Sequence, residues 1–209
     1  MIKIIRLVVG VMKTNCYILY DDKINEAAII DAGDDSDYII STILKLNLKA
    51  SFIISTHGHF DHNMAVYELK NLFNVPFFFS KKDYFILKYM PKSAKHYIGL
   101  SNVLVPNPDR FIKSGDLLKL GETVIKVINT PGHTPGGICL YIKKNKLLFS
   151  GDIIFNEGIG RYDFSYSDKN ALIKSIKKII SIKNLKYIYP GHGNVIIYNY
   201  IKKILNIFT

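Results

Sequence analysis

The stretch Ser55 to His62, "STHGHFDH", contains three histidines and one aspartate within its last six residues. It follows the apolar run Phe52-Ile53-Ile54, which has the composition of a buried strand. A packed core does not need so many imidazole and carboxylate groups at one strand end, whereas a metal site does. The alternative is a chance crowding of surface residues. The chain must therefore fold so that a buried strand ends in a ligand-rich turn.

Three further residues of ligand type follow apolar, strand-like runs in the same way. They are His133 in "VINTPGHTPGG", Asp152 in "LLFSGDIIF" and His192 in "YIYPGHG". Neighbouring glycines let the backbone turn sharply and approach a shared point. Functional groups usually gather on loops at one edge of a rigid sheet. Four strand ends thus carry seven candidate metal ligands, which are His57, His59, Asp61, His62, His133, Asp152 and His192.

The spacing of these residues indicates two metal ions. In an extended segment, side chains two residues apart point the same way, so His57 and His59 can reach one ion. Asp61 and His62 come where the chain turns into a helix, and they would face a second ion. Asp152, the lone carboxylate among the later candidates, suits a bridging position. Imidazole and carboxylate ligands without cysteine argue against a closed structural zinc site, and they favour two divalent ions, with zinc preferred over iron or manganese.

The hydrophobic pattern predicts an α+β fold. Short polar turns, "DDKINE", "GE" and "KKNK", predict antiparallel hairpins. Residues 65–73 and 83–90 are predicted helices, and Ser167 or Asp168 can cap another. Strands are predicted at 2–9, 16–20, 27–30, 50–54, 75–79, 117–120, 123–128, 138–142, 146–149 and 187–189. Apolar helix faces are predicted at Ile39, Ile43 and Leu46, at Leu172, Ile176 and Ile179, and at Ile197, Ile201, Ile204 and Phe208. Hairpins and strand-helix units in both halves predict two packed sheets with helices outside, a four-layer αββα sandwich, in one domain over residues 1–209.

Composition narrows the possible partners. Lys and Arg exceed Asp and Glu by 28 to 17, but they are scattered as single and paired residues, which is typical of a solvated basic face. We expect a small anionic substrate and neither a nucleic-acid partner nor a membrane span. Cys16 and Cys139 lie in strand-like runs without a CxxC motif, which favours buried thiols in a reducing compartment, the cytoplasm. His96 in "KSAKHYIG" is predicted to lie on a surface loop.

The motifs "THGHFDH", "PGHTPGG", "SGD" and "PGHG", in this order, resemble the metallo-β-lactamase superfamily over most of the chain. The segments "TNCYILY", "IIDAGDD" and "SGDIIFNEGIGRYDF" are more similar to the glyoxalase II-like hydrolases than to the antibiotic-hydrolysing branch. The resemblance implies an αββα fold and a support role for Asp31 in "IIDAG", outside the ligand set itself. It also implies a ligand assignment, with His57, His59 and His133 on the first metal, Asp61, His62 and His192 on the second, and Asp152 between them.

Two features depart from the family pattern. Met64 stands where family members commonly carry glycine, and the chain ends soon after His192. The helical domain that follows in full-length glyoxalase II enzymes, and helps them bind glutathione, is therefore expected to be absent.

The resemblance implies a hydrolase that cleaves a thioester or ester, such as S-lactoylglutathione, with a metal-bridging hydroxide as nucleophile and Asp61 to orient it. An alternative is a persulfide dioxygenase with one iron held by His57, His133 and Asp152, since those enzymes share a "GIGRYDF"-like segment. The presence of the other ligands favours two metals. A redox domain like that of flavodiiron proteins is disfavoured, because those proteins typically carry glutamate at the position of His59. A nucleic-acid phosphodiesterase is supported only by net charge, and a non-catalytic module would require the loss of a ligand.

Overall fold

Two six-stranded sheets form the centre of the fold in a computed structural model, which describes residues 1–198. The first sheet contains, in spatial order, β1 (Ile2–Val9), β2 (Thr14–Asp21), β3 (Glu26–Ile30), β4 (Lys49–Ile54), β5 (Phe77–Ser80) and β6 (Arg110–Ile112). The second contains, from one edge to the other, β14 (Ile196–Ile197), β13 (Tyr187–Pro190), β10 (Leu147–Gly151), β9 (Ile138–Ile142), β8 (Thr123–Asn129) and β7 (Leu117–Leu120). A separate hairpin pairs β11 (Ile154–Phe155) with β12 (Gly158–Ile159).

Within residues 1–198, five α-helices cover the outer faces of the two sheets. They are α1 (Ser36–Lys45), α2 (Val66–Phe73), α3 (Tyr84–Lys88), α4 (Met90–Ile98) and α5 (Lys169–Ile180). Single 3-10 turns occur at Phe60–His62 and Lys81–Asp83. Among residues 1–198, none of the helices combines the length and the apolar character that crossing a membrane requires.

Strand alternation divides the hydrophobic core into three layers. In β2, Ile18 packs towards the helices together with Ile39 of α1, whereas Leu19 packs between the sheets together with Phe149 of β10. Successive strand residues point to opposite faces, so one strand serves both layers. On the other side, Leu172, Ile176 and Ile179 of α5 pack against the second sheet. The predicted four-layer αββα arrangement is therefore confirmed.

Strand direction brings several strand ends to one edge of the sandwich. The predicted hairpins are confirmed, because β2 pairs antiparallel with β3, β7 with β8 and β9 with β10. However, β3 and β4 run parallel, as do β10 and β13. The carboxyl ends of β3, β4, β8, β10 and β13 therefore meet at the same edge, where the candidate ligands follow them.

Three local predictions are corrected by the structure. The helix predicted at 83–90 is two helices, and α4 occupies the segment predicted as a loop, so His96 is exposed on a helix. Pro91 lies in the first turn of α4 and does not break the helix, because a proline there loses no hydrogen bond. Leu46 is 43% exposed because α1 ends at Lys45. The face predicted from Ile197 to Phe208 falls outside the described residues except for Ile197, which lies in β14.

One of the two predicted N-cap candidates of α5 is confirmed. Asp168 caps α5, since its carboxylate accepts a hydrogen bond from the backbone N–H of Ala171 at 3.0 Å. Met64, the departure from the family's glycine, is half-buried ahead of α2 and packs against the helix-side core. Its N–H donates to the carbonyl of Gly33 at 3.0 Å, so the larger side chain is accommodated without loss of that turn.

Candidate metal centre

The structure gathers all seven candidate ligands at one edge of the sandwich. His57 and His59 lie in the loop after β4, and Asp61 and His62 lie in the 3-10 turn Phe60–His62. His133, Asp152 and His192 follow β8, β10 and β13, respectively. His192 also forms a β-bridge with Thr14 of the first sheet. Six of the seven are mostly or fully buried, while the His192 side chain remains 27% exposed.

Three histidines form what we call the first cluster, His57, His59 and His133. The Nδ1 atom of His59 lies 3.1 Å from Nε2 of His57 and 3.0 Å from Nε2 of His133. Tetrahedral zinc with Zn–N bonds of about 2.0–2.1 Å places its ligand atoms roughly 3.3 Å apart. The three nitrogens are therefore spaced closely enough to share one ion.

The second cluster consists of Asp61, His62 and His192. The Nε2 atoms of the two histidines lie 3.3 Å apart. The Oδ2 atom of Asp61 is 3.2 Å from Nε2 of His192 and 3.5 Å from Nε2 of His62. This group has the same dimensions as the first, with one carboxylate oxygen in place of a ring nitrogen.

Asp152 lies between the clusters. Its Oδ2 atom is 3.7 Å from Nε2 of His133 and 3.5 Å from Nε2 of His192, and its Oδ1 atom is 3.5 Å from Nε2 of His62. The Oδ1 atom is buried without a hydrogen-bond partner among the described residues. A buried orphan carboxylate oxygen is costly unless a cation lies beside it.

The outer ring nitrogens of the first cluster determine what the inner ones can present. The Nδ1 atom of His133 lies 2.8 Å from the carbonyl of Arg161, so it carries the proton. The hydroxyl of Thr56 donates to Asp31 at 2.9 Å, so it accepts from Nδ1 of His57 at 3.1 Å. With Nε2–H of His59 donating to the hydroxyl of Tyr166 at 2.8 Å, all three inner nitrogens present lone pairs. Lone pairs facing one another at this spacing fit a cation between them.

The pKa values of the histidines also differ between the two clusters. Burial, with repulsion from neighbouring histidines, holds the pKa of His57 well below its usual range and lowers the pKa of His59 to about 3. Burial also acts on His62, but attraction from Asp152, Asp61 and Asp31 raises its pKa well above the usual value. The pKa of His192 is raised against its burial by the hydrogen bond to Asp61.

Asp31 supports both clusters from the carboxyl end of β3. It accepts from the backbone N–H of Thr56 at 2.7 Å and from the Thr56 hydroxyl, which in turn contacts His57. Its Oδ2 atom also lies 3.2 Å from Nδ1 of His62, which directs the other ring nitrogen of His62 into the site. Asp31 adopts a left-handed backbone conformation with φ of 55°, which turns the chain away from the strand.

Two residues that contact this site gave no signal in the sequence. Asp83 is fully buried beside the loops of the first cluster, although it looked only like the start of a helix. Tyr166 lies at the rim and stacks on Phe164, with ring centroids 5.5 Å apart and an interplanar angle of 14°. Phe164 in turn contacts His59, with ring centroids 5.0 Å apart. The segment after β12 therefore forms an aromatic wall over the first cluster.

Comparison with known families agrees with this geometry. A model of the metallo-β-lactamase superfamily matches residues 9–192, a span that contains all seven candidate ligands. The chain belongs to this superfamily. In Haemophilus influenzae, the protein named hydroxyacylglutathione hydrolase GloC is 38% identical over 189 residues, which make up 89% of this chain and 88% of that relative.

Two solved structures are similar to this chain in fold. The BLEG-1 B3 metallo-β-lactamase has a TM-score of 0.87 at 29% identity, over 96% of this chain and 97% of that one. The protein TTHA1623, solved in a di-iron-bound form, has a TM-score of 0.87 at 27% identity, over 96% and 98% of the two chains. This chain is thus a member of a metal-dependent hydrolase superfamily, with His and Asp clusters suited to divalent metals.

Proposed function

We propose that the protein is a binuclear metal-dependent hydrolase that cleaves a thioester or ester, with S-lactoylglutathione as the representative substrate. The observation that carries this proposal is the pair of three-ligand clusters with Asp152 between them. In this assignment the first cluster would hold one ion and the second cluster the other, with the Asp152 carboxylate placed between them. Zinc is the preferred metal, and the di-iron form of TTHA1623 keeps iron as an alternative.

The reaction adds water across the thioester C–S bond. The water oxygen bonds to the carbonyl carbon, the C–S bond breaks, and a carboxylic acid and a thiol are released. When bound, two divalent ions would lower the pKa of a water between them and stabilise the oxyanion that develops on the carbonyl oxygen.

We assign to Asp61 the role of orienting the water that attacks the substrate carbonyl. Its Oδ2 atom accepts from the hydroxyl of Thr14 at 3.1 Å and lies 3.2 Å from Nε2 of His192, so the carboxylate is fixed in orientation. Although burial opposes ionisation, attraction from His62 lowers the pKa of Asp61, which keeps it an acceptor at neutral pH. It can therefore orient a water towards the substrate carbonyl by accepting a hydrogen bond from it.

The proposed substrate class rests on the similarity to GloC and on the net charge of this chain. The alignment with GloC covers 88% of that protein, so a hydroxyacylglutathione hydrolase name belongs to a chain with little sequence beyond this domain. A glutathione thioester is therefore a substrate class named for a relative of about this length. The net charge of +11 would attract an anionic substrate, and the two buried, unpaired cysteines fit a cytoplasmic location.

The alternative with a specific observation in its favour is the one-iron dioxygenase. The Nε2 atoms of His57 and His133 lie 4.0 and 3.7 Å from Oδ2 of Asp152, a two-histidine, one-carboxylate group. The complete second cluster favours the binuclear hydrolase.

Three assays on one preparation separate these functions. Loss of the thioester absorbance of S-lactoylglutathione would be measured beside oxygen uptake on glutathione persulfide and hydrolysis of a chromogenic β-lactam. We expect oxygen-independent thioester hydrolysis that a chelator abolishes and added zinc restores. Oxygen uptake without hydrolysis would overturn the proposal in favour of the dioxygenase, and β-lactam hydrolysis alone would place the chain with enzymes like BLEG-1.

A further inference from the structure

Asp83 is a buried carboxylate that neither cluster includes. It ends the 3-10 turn Lys81–Asp83 between β5 and α3 and is fully buried. Burial raises the pKa of its side chain, and hydrogen bonds from Thr134, Gly136 and Gly58 oppose that rise. Burying a carboxylate is expensive unless it is fully hydrogen-bonded, so the placement needs a reason.

The hydrogen bonds of Asp83 join the two loops that carry the first cluster. Its Oδ2 atom accepts from the backbone N–H of Gly58 at 3.0 Å and from the hydroxyl of Thr134 at 2.6 Å. Its Oδ1 atom accepts from the backbone N–H of Gly136. Gly58 separates His57 from His59, and Thr134 follows His133. One carboxylate thus spans both segments.

Asp83 lies so close to these two loops that they cannot slide past it. A Cβ atom at Gly58 would lie 2.8 Å from the carbonyl oxygen of Asp83, and a Cβ atom at Gly136 would lie 2.6 Å from its backbone nitrogen. Real Cβ atoms essentially never approach other heavy atoms so closely. The two glycines therefore permit the approach, and any movement of Asp83 would displace the loops with it.

The contacts are also one-sided. The hydrogen bonds that the structure records for the Asp83 side chain within residues 1–198 all go to Gly58, Thr134 and Gly136. The second cluster is supported from elsewhere, because Asp31 contacts His62 and Thr14 contacts Asp61. A change at Asp83 should therefore reach one half of the site first.

We propose that Asp83 is a positioning residue that holds the His57–His59 loop and the His133 loop as one unit and thereby sets the metal affinity of the first cluster. The inference rests on the metal ligands of the proposed function and not on its substrate. Outer partners of metal ligands typically contribute about 10- to 100-fold to affinity.

The test is a stepwise zinc titration of metal-free protein against a chromophoric chelator. Asp83→Asn keeps the size of the side chain but replaces one acceptor oxygen with an N–H donor that faces another donor. Thr134→Val removes one of the three bonds and keeps the carboxylate. His133→Ala and His192→Ala identify which binding step belongs to which cluster. Asp109→Asn is the structural control, since Asp109 accepts from the N–H of Phe77 at 2.7 Å but lies outside both clusters.

We expect Asp83→Asn to weaken the step assigned to the first cluster by about 10- to 100-fold and the other step by less than about threefold, with Thr134→Val intermediate. Thermal unfolding of the metal-free variants accounts for any loss of fold, and Asp109→Asn should lower the unfolding temperature without a selective change in affinity. Equal weakening of both steps, or no weakening in folded Asp83→Asn protein, would overturn the inference. If His133→Ala protein showed the same number of zinc-binding steps as the wild type, that result would instead contradict the proposed metal centre itself.

Discussion

The first and second clusters lie side by side, yet their histidines have opposite electrostatic surroundings. The first cluster contains no carboxylate, and the pKa values of His57 and His59 are lowered by burial. The second contains Asp61 and faces Asp152, and the pKa values of His62 and His192 are raised. His57 and His59 are therefore ready to bind a cation at neutral pH, whereas a cation entering the second cluster must displace a proton.

We expect the largest decrease in activity on removal of Asp152, which lies between the two clusters. Asp152→Ala should lower thioester hydrolysis by at least about a thousandfold, because the metals supply several kcal/mol of transition-state stabilisation. It should also weaken both zinc-binding steps. The measurement is kcat/KM together with zinc content, with Asp163→Ala as control, since Asp163 is an exposed carboxylate paired with Arg161. A variant that retains two tightly bound ions would argue against the bridging position.

Asp31→Asn should sharpen the contrast with Asp83→Asn. Asparagine tolerates the left-handed backbone at this position, so the fold should survive. Because Asp31 contacts His62 directly and His57 through Thr56, we expect both zinc-binding steps to weaken, each by about 10- to 100-fold. The same chelator titration measures this. Selective loss of a single step would show that Asp31 serves only one cluster.

The two clusters should differ in the pH dependence of metal binding. The raised pKa of His62 means that its proton stays bound above the ordinary value of 6.5, so affinity at the second cluster should rise with pH from about 6.5 up to the raised pKa. The pKa of His59 is about 3, so its protonation should leave the first cluster unaffected across the same window. Calorimetric titration in two buffers of different ionisation enthalpy counts the protons released. We expect release mainly in the second step, and equal release in both steps would contradict the contrast.

The smallest expected effect is at the rim of the first cluster. Tyr166→Phe keeps the ring stacked on Phe164 but removes the hydroxyl that lies 2.8 Å from Nε2 of His59. We expect a decrease in kcat/KM of about tenfold at most, because one outer partner of one ligand is lost. Steady-state kinetics check this, with Tyr162→Phe, a nearby exposed tyrosine, as the matched control. An equal decrease in both variants would show that the hydroxyl near His59 has no special role.

The sequence pointed to the seven candidate ligands that the structure brings together, because each of them follows its strand within a few residues. His57 and His59 are two residues apart after β4, so local geometry already pairs them. Asp83 could not be found in this way, because its partners Gly58 and Gly136 are 25 and 53 positions away along the chain. Its role depends on how β5 and α3 pack beside two loops, which no local pattern encodes. Tyr166 was missed for the same reason, since it reaches His59 from 107 positions away.

Helix boundaries show the same limit. The cap of α5 could be narrowed to Ser167 or Asp168, and the structure shows Asp168, because an N-cap acts within its own turn, over three residues. The second helix of the α3–α4 pair was not predicted, because "MPKSAKHYI" has a proline near its start and only Met90 and Ala94 buried. Its stability comes from packing on the first sheet, so tertiary contacts decided what local preference did not.

The most direct test of the two-cluster account is a crystal structure of zinc-loaded protein with anomalous diffraction data at the zinc edge. We expect two peaks about 3.5 to 4 Å apart, one among His57, His59 and His133 and one among Asp61, His62 and His192, with Asp152 between them. A single peak bound by His57, His133 and Asp152 would contradict it and would favour a mononuclear centre.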